Sequence, residues 1–245
     1  MIWATGDTHG GWIHRVNMDS FPEQREMSKD DYVIILGDFG IWRDSPQQRW
    51  YLNWLEVKHF TTLFIDGNHE NYDILDSYPV EEWHGGKVHF IKPSIIHLMR
   101  GQVFDIDGLK FFTFGGASSH DISDGVLEID DPRVKEWRDA PDKMYRINHI
   151  SWWEREMPDE KEMDEGIKNL AEHDNKVDFI LTHCTASSTA ALLSHGLYKP
   201  DKLTNYLEEI KCNVDYKRWL CGHYHDNKAI TIKDIVLYEQ IVRIA

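Results

Sequence analysis

The chain has few basic residues for its size. Its 245 residues include 27 Lys and Arg against 42 Asp and Glu, which gives a formal net charge of -15. Phosphate backbones and anionic lipid surfaces are bound mainly through clustered Lys and Arg. A long nucleic-acid partner and a membrane surface are therefore not expected. A small phosphorylated substrate stays compatible with the sequence, because a locally positive pocket can hold it within an acidic protein.

Cysteine and long apolar segments are also scarce. The three cysteines, Cys184, Cys212 and Cys221, contain no Cys-x-x-Cys pair, so no disulfide framework is predicted and a reducing compartment fits. No apolar stretch approaches the roughly 20 residues that span a bilayer. Met1 to Thr5 lack the basic and apolar segments of a secretory signal. We predict a cytoplasmic protein without a membrane segment, and its oligomeric state stays open.

Two common catalytic motifs are missing as well. The chain contains neither the Gly-x-Ser-x-Gly elbow of α/β-hydrolases nor the Gly-x-x-x-x-Gly-Lys phosphate loop expected of a kinase-like protein. Its composition, 41% hydrophobic residues with ten each of Trp, Tyr and Phe, is typical of a globular protein. No repeat or linker divides the chain. We therefore predict one domain over residues 1–245, with an irregular excursion at about 118–156.

Short apolar segments alternate with helical patterns in the first 70 residues. Three strands, each ending at Gly or Asp-Gly, are predicted at Ile2 to Thr5, Tyr32 to Leu36 and Thr61 to Ile65. A helix is predicted from Ser45, with Trp50, Trp54 and Leu55 on its apolar face. The alternation predicts an α/β fold with parallel strands, in which functional loops gather at the carboxyl ends of the strands.

Further elements are predicted along the rest of the chain. Helical spacing links Met163, Ile167, Leu170 and Ala171. The additional predicted strands are Lys87 to Ile91, Ile95 to Met99, Gln102 to Ile106, Leu109 to Phe114, Val177 to Leu181 and Arg218 to Cys221.

Five of the strand-like segments end on residues that can bind metal ions. In order these blocks are Gly6-Asp7-Thr8-His9, Gly37-Asp38, Gly67-Asn68-His69-Glu70, Thr182-His183 and Gly222-His223-Tyr224-His225. Alternate residues of an extended chain point the same way, so Asp7 with His9, and His223 with His225, can each converge on one point. The glycines beside them let the backbone turn sharply where the ligands leave the sheet.

The residue types narrow the choice of metal. Imidazole nitrogen mixed with carboxylate and amide oxygen, without thiolate, suits manganese, iron, zinc or cobalt, and is too rich in nitrogen for magnesium alone. Seven candidate ligands are too many for one ion that must leave room for substrate. The seven ligands can instead be divided between two ions that share one carboxylate. Paired metal ions are common in enzymes that hydrolyse phosphoesters.

The five ordered blocks resemble those of the calcineurin-like metallophosphoesterases, and the resemblance extends from Asp7 to His225. It implies a four-layer α/β/β/α sandwich of two mixed sheets. It also implies the ligands of two metal ions. One ion would be bound by Asp7, His9 and His225, the other by Asn68, His183 and His223, and Asp38 would bridge both.

The resemblance further implies a reaction. Phosphomonoesters or phosphodiesters would be hydrolysed by in-line attack of a hydroxide that bridges two divalent or trivalent ions, with Mn, Fe or Zn the expected metals. His69 would protonate the leaving oxygen or stabilise its charge. A catalytically silent binding scaffold is the alternative, but it predicts eroded ligands and none is eroded here. Phosphoprotein Ser/Thr phosphatase and dinucleoside polyphosphate hydrolase are alternative substrate classes.

Departures from relatives bear on the substrate. Protein phosphatases of this superfamily place a phosphate-gripping Arg where this chain has Asp66, and an Asp where it has Ile41. The chain is more similar to bacterial and phage metallophosphoesterases of unassigned substrate, whose motifs match 115–119, 142–146 and 151–156. We hypothesise that Arg146 replaces the missing Arg, since a planar guanidinium matches phosphate oxygens. An apparent insertion at 120–141 has no assigned role.

The remaining histidines and two neighbouring tryptophans are interpreted as structural residues and not as parts of the site. His120 could reach the site from the excursion, but the preferred interpretation leaves it outside. Trp152 and Trp153 could stack on a nucleobase, although packing is the preferred role. Eight further histidines are interpreted as surface or core residues, namely His14, His59, His84, His89, His97, His149, His173 and His195.

Overall fold

Fifteen β-strands and seven α-helices make up the fold, and the computed structural model describes residues 1–245. The strands are β1 (Ile2–Thr5), β2 (Tyr32–Leu36), β3 (Thr61–Ile65), β4 (Val80–Trp83), β5 (Gly86–Lys92), β6 (Ile95–Leu98), β7 (Gln102–Ile106), β8 (Leu109–Phe114), β9 (Gly125–Leu127), β10 (Tyr145–Ile147), β11 (Lys176–Thr182), β12 (Asp215–Cys221), β13 (Lys228–Ala229), β14 (Asp234–Val236) and β15 (Val242–Arg243). The helices are α1 (Trp12–Arg15), α2 (Pro46–Glu56), α3 (Tyr72–Leu75), α4 (Pro132–Trp137), α5 (Glu160–Glu172), α6 (Ser187–Ser194) and α7 (Lys202–Asn213). No helix is both long enough and apolar enough to cross a bilayer.

The strands form two large mixed sheets. The first has the order β15-β1-β2-β3-β6-β5-β4, and β1, β2, β3 and β6 run parallel. The second has the order β13-β14-β12-β11-β8-β7, and β8, β11, β12 and β14 run parallel. Antiparallel pairing joins β15 to β1, β6 to β5 and β5 to β4 in the first sheet, and β13 to β14 and β7 to β8 in the second. The excursion adds a small parallel pair, β9 with β10.

Three hydrophobic clusters separate four layers. The cluster between the sheets includes Leu36, Leu63, Phe104, Phe111 and Leu181. A second cluster packs α5 and α7 on the second sheet, and a third packs α1, α2 and α3 on the first sheet. Because side chains alternate along a strand, each sheet contributes apolar residues to both of its faces. The predicted α/β/β/α sandwich of two mixed sheets is confirmed.

The strand predictions hold because continuous apolar runs end at glycine or a tight turn. Five predicted strands have the bounds of β1, β2, β3, β7 and β8. The helix predicted from Ser45 also forms, and the Ser45 side chain accepts a hydrogen bond from the backbone N–H of Gln48.

The predicted apolar faces of two helices were partly wrong. In α2 the buried residues are Leu52 and Leu55, whereas Trp50 is 56% exposed and packs edge-on against Tyr51. In α5, Ile167 is exposed, because the face that packs on the sheet carries the small residue Gly166 instead. Composition alone did not separate these solvent-facing apolar residues from the buried ones.

Candidate metal centre

The predicted ligands follow parallel strands of both sheets. Asp7 follows β1, Asp38 follows β2 and Asn68 follows β3, while His183 follows β11 and His223 follows β12. Parallel strands place their carboxyl ends on one edge, so the ligands of each sheet come together there. The two edges meet directly, since His183 Nε2 lies 3.4 Å from Asp38 Oδ1.

The first ligand group joins Asp7, His9 and His225. The Nε2 atoms of His9 and His225 lie 3.1 Å apart, and His225 Nε2 lies 3.1 Å from Asp7 Oδ2. Asp7 Oδ2 is buried and accepts no hydrogen bond from the protein. A buried carboxylate oxygen without a donor is costly unless a cation binds it. The group therefore fits a metal ion.

The second group lies beside the first and is built around Asp38. Its Oδ2 lies 3.7 Å from His9 Nδ1, and Asn68 Oδ1 lies 3.2 Å from His183 Nε2. Donor atoms of Asp7, Asp38 and His183 lie within 4.8 Å of one another. Burial disfavours charge on His183, but Asp38 and Asp7 raise its pKa to about 10. The centre thus favours positive charge, and Asp38 lies between the two groups.

Backbone geometry at the centre is unusual. His9, Asp38, His223 and His225 all have φ between +45° and +66°, in the left-handed region that L-residues rarely adopt. Such conformations cost energy and gather at functional sites. Four of the seven predicted ligands therefore adopt a backbone that ordinary packing does not favour.

Two glycines provide space for ligand side chains. A Cβ atom on Gly67 would lie 2.1 Å from Asp38 Oδ1, and one on Gly222 would lie 2.3 Å from Asp7 Oδ1. Neither glycine has a positive φ. At these two positions glycine is required by the close approach of the carboxylates and not by a left-handed backbone.

His69 lies at the rim of the centre. Its backbone N–H donates to Asp38 Oδ1 at 2.7 Å, and its carbonyl accepts from the Trp42 indole at 2.9 Å. Its half-buried ring packs edge-on against His9, and neither ring nitrogen hydrogen-bonds within the protein. Burial lowers the pKa of His69. The main chain is fixed on both sides while the ring nitrogens stay free.

Glu70, the last residue of the third block, supports the loop that follows Asp38. Its buried carboxylate accepts hydrogen bonds from the backbone N–H groups of Phe39, Gly40 and Ile41, at 2.5 to 3.1 Å. These residues directly follow Asp38, so Glu70 fixes the loop that carries it. This role was not predicted from the sequence, because the three donors are about 30 residues away.

Asp66 directly precedes the third motif block. It is buried and accepts hydrogen bonds from Arg100 Nε at 2.8 Å, Arg100 Nη2 at 2.6 Å and the Tyr72 hydroxyl at 2.9 Å. His97 Nε2 lies 3.1 Å from its other oxygen. Burial alone would raise the pKa of Asp66, but Arg100 and His97 hold it well below its usual range. The position serves as an ionic anchor within the fold.

The excursion connects to the predicted ligand Asn68 through Ser119. The Ser119 N–H and hydroxyl donate to the buried Glu156 carboxylate at 2.8 and 2.6 Å, and Ser119 Oγ lies 3.4 Å from Asn68 Nδ2. The amide nitrogen of Asn68 is thereby directed away from the centre, while its oxygen faces His183. The motifs at 115–119 and 151–156 meet at this contact.

Arg146 lies beside the centre, but most of its guanidinium group is hydrogen-bonded to Asp121. Its Nε donates to Asp121 Oδ1 at 3.0 Å and its Nη2 donates to Asp121 Oδ2, whereas Nη1 makes no hydrogen bond within the protein. Burial would raise the pKa of Asp121, and the hydrogen bonds from Arg146 lower it.

The interpretation that left His120 outside the site was wrong. His120 Nε2 lies 3.0 Å from His223 Nε2, and the residues on either side of His120 are held by Glu156 and Arg146. Trp153 has the expected packing role and donates from Nε1 to Asp73 at 2.7 Å.

A cavity of about 530 Å³ opens next to His69. Its aromatic and aliphatic walls include Trp42, Tyr51 and Ile150, and its polar walls include Arg43 and Arg146. The Arg43 side chain makes no hydrogen bond or ion pair, whereas the nearby Arg49 pairs with Asp44. The volume lies within the range of small-molecule pockets.

Comparison with known proteins identifies the class. Residues 1–227 match the family model described as calcineurin-like phosphoesterase, so the chain belongs to the calcineurin-like phosphoesterase family. No curated protein matches the chain. The solved structure of the phosphopantetheinyl hydrolase PptH from Mycobacterium tuberculosis is similar at 16% identity, over 97% of this chain and 89% of that one, with a TM-score of 0.44.

Proposed function

We propose that the chain is a metal-dependent phosphohydrolase with two ions, acting on small phosphorylated substrates. The observation that carries the proposal is the grouping of donor atoms from Asp7, His9 and His225, and from Asp7, Asp38 and His183, each within 4.8 Å of one another. One ion would be held by Asp7, His9 and His225. The other would be held by Asn68, His183 and His223, with Asp38 shared between them.

The residues of the centre have different roles in the proposed hydrolysis. When bound, the ions activate water as a nucleophile and polarise the phosphoryl oxygens. Asp38 is held by the His69 N–H, and Glu70 holds the loop that follows it, so the shared carboxylate is positioned before substrate arrives. His69 holds a proton on a free ring nitrogen facing the cavity and gives it to the leaving oxygen.

The cavity beside His69 is proposed to hold the leaving group. Its size supports a small substrate, and the aromatic side chains of Trp42 and Tyr51 support a leaving group with a planar or apolar part. The unpaired Arg43 supports a second anionic group on the substrate. Arg43→Ala is expected to raise KM about tenfold for such substrates, while Arg49→Ala, the matched control, leaves KM unchanged. Equal KM values for both variants would overturn this assignment.

Arg146 is proposed to bind a phosphate oxygen through Nη1, while Asp121 holds the rest of the guanidinium. A pre-oriented guanidinium loses little freedom on binding. Arg146→Ala should raise KM. Unchanged KM and kcat on every substrate would contradict the assignment.

The proposed function is tested by adding metals back to stripped protein. Mn²⁺, Fe²⁺, Zn²⁺ or Mg²⁺ is supplied singly, and hydrolysis of a model monoester, a model diester and a dinucleotide panel is measured. Hydrolysis is expected with Mn²⁺, Fe²⁺ or Zn²⁺, and the isosteric Asp38→Asn variant is expected to be inactive. Equal inactivity of both proteins with every metal would favour a binding scaffold instead.

A further inference from the structure

His120 lies outside the five motif blocks but contacts the centre that they form. Its Nε2 atom lies 3.0 Å from His223 Nε2. The pair predicted to share the other ion, His9 and His225, has almost the same separation, 3.1 Å between Nε2 atoms. Two imidazoles bound to one ion at about 2.0–2.1 Å per bond hold their nitrogens about 3 Å apart. Both histidine pairs therefore have the spacing of ligands to one ion.

The position of His120 is fixed from both sides, although its own ring is exposed. Ser119 before it is held by the Glu156 carboxylate, and Asp121 after it is held by Arg146 through both carboxylate oxygens. These anchors come from the far end of the excursion. A side chain between two anchored residues reaches the centre with less loss of conformational freedom than one on a free loop.

The ring of His120 also has a neighbour on its outer side. Tyr198, which follows α6, lies nearly parallel to it, with an interplanar angle of 12° and 6.2 Å between ring centroids. Tyr198 in turn stacks on Tyr224, between the ligands His223 and His225. The segment after α6 therefore supports the same histidine that the excursion supplies.

We propose that His120 is a further metal ligand, binding together with His223 the ion assigned to Asn68 and His183. The inference rests on the proposed two-ion function and deepens it. This ion would then have three imidazole donors and one amide oxygen, besides the shared Asp38. A donor set so rich in nitrogen favours Zn²⁺, Fe²⁺ or Co²⁺ over Mg²⁺. The other explanation of the contact is a simple N–H···N hydrogen bond between the two rings.

The proposal is tested by metal binding without any activity assay. Metal-stripped protein is titrated with Zn²⁺ in a calorimeter, using His120→Ala, His120→Gln, His223→Ala and the control His59→Ala, whose exposed ring lies just before β3 at the opposite end of the sheet. Loss of an outer-shell partner already lowers metal affinity 10- to 100-fold. Both His120 variants should therefore lower the affinity for one of the two ions at least about tenfold, and His223→Ala should do the same.

The glutamine variant separates ligation from hydrogen bonding, because its amide can hydrogen-bond to His223 but is a weaker ligand for Zn²⁺ than an imidazole. Wild-type affinity in His120→Gln together with weakened binding in His223→Ala would overturn the role of His120 and leave the two-ion centre intact. Wild-type affinity in His223→Ala would overturn both. In the ¹⁵N spectrum, the His120 Nε2 signal should move on Zn²⁺ addition, and a signal that stays in place would also contradict ligation.

Discussion

The ion pair between Asp66 and Arg100 gives a prediction about stability. Arg100 is 3% exposed and donates twice to Asp66, once to the Tyr72 hydroxyl and once to Glu162. Replacing it with methionine keeps much of the volume but leaves the Asp66 carboxylate buried without its main partner. Removing one partner of a buried pair costs about 3–5 kcal/mol. For a chain of this size, that corresponds to a fall in Tm of about 6–20 °C.

Arg155 provides a matched control for this prediction. It also bonds Glu162, at 2.9 Å, but its side chain is 42% exposed. Exposed pairs contribute about 0–1 kcal/mol, so Arg155→Met should barely change the midpoint of urea unfolding. Arg100→Lys keeps the charge but loses the bidentate geometry, and should fall between wild type and Arg100→Met. If Arg100→Met and Arg155→Met differ by less than about 1 kcal/mol, the anchor role of Asp66 is refuted.

Three further predictions concern residues around the centre. Burial and the neighbouring His97 lower the pKa of His89 to about 4, so the folded state binds fewer protons than the unfolded state between pH 6.5 and 4. The free energy of unfolding should therefore fall as pH falls through that window. Measured by urea unfolding, its loss between pH 7 and 5 should be about 2 kcal/mol smaller in His89→Gln than in the wild-type protein. Equal losses in the two proteins would contradict this prediction. Glu156→Ala removes the carboxylate that accepts both hydrogen bonds from Ser119. It should lower the free energy of unfolding by about 1–3 kcal/mol, which an unchanged urea midpoint would exclude. Gly67→Ala would bring a Cβ within 2.1 Å of Asp38 Oδ1 and should weaken Mn²⁺ binding in calorimetry; wild-type affinity would show that the loop can move aside.

Local patterns in the sequence were sufficient to predict the strands and the motif blocks. The apolar runs of β2 and β3 are each followed by a turn and a predicted ligand, and parallel pairing brings these ends together. The residues that support the ligands could not be predicted in the same way. Asp66 meets Arg100, 34 residues later, only because β3 pairs with β6 and places the two on the same side of the sheet.

The location of His120 shows the same limit within the excursion. Its contact with His223 joins residues 103 positions apart and depends on hydrogen bonds from Glu156 and Arg146. No periodicity or spacing in 118–156 encodes those bonds, since β9, α4 and β10 are short and half-exposed. The seven predicted ligands follow strands, whereas His120, the eighth candidate, depends on tertiary contacts of an irregular segment.

We propose that the seven predicted ligands hold two ions through a shared Asp38. Equilibrium dialysis of metal-stripped protein against Mn²⁺, with metal counted per chain, tests it most directly. Two ions are expected for the wild-type protein, and fewer than two at the same free Mn²⁺ concentration for Asp38→Asn, since an amide lacks the charge to bridge them. One ion or none in the wild-type protein, or two in both proteins, would contradict the account.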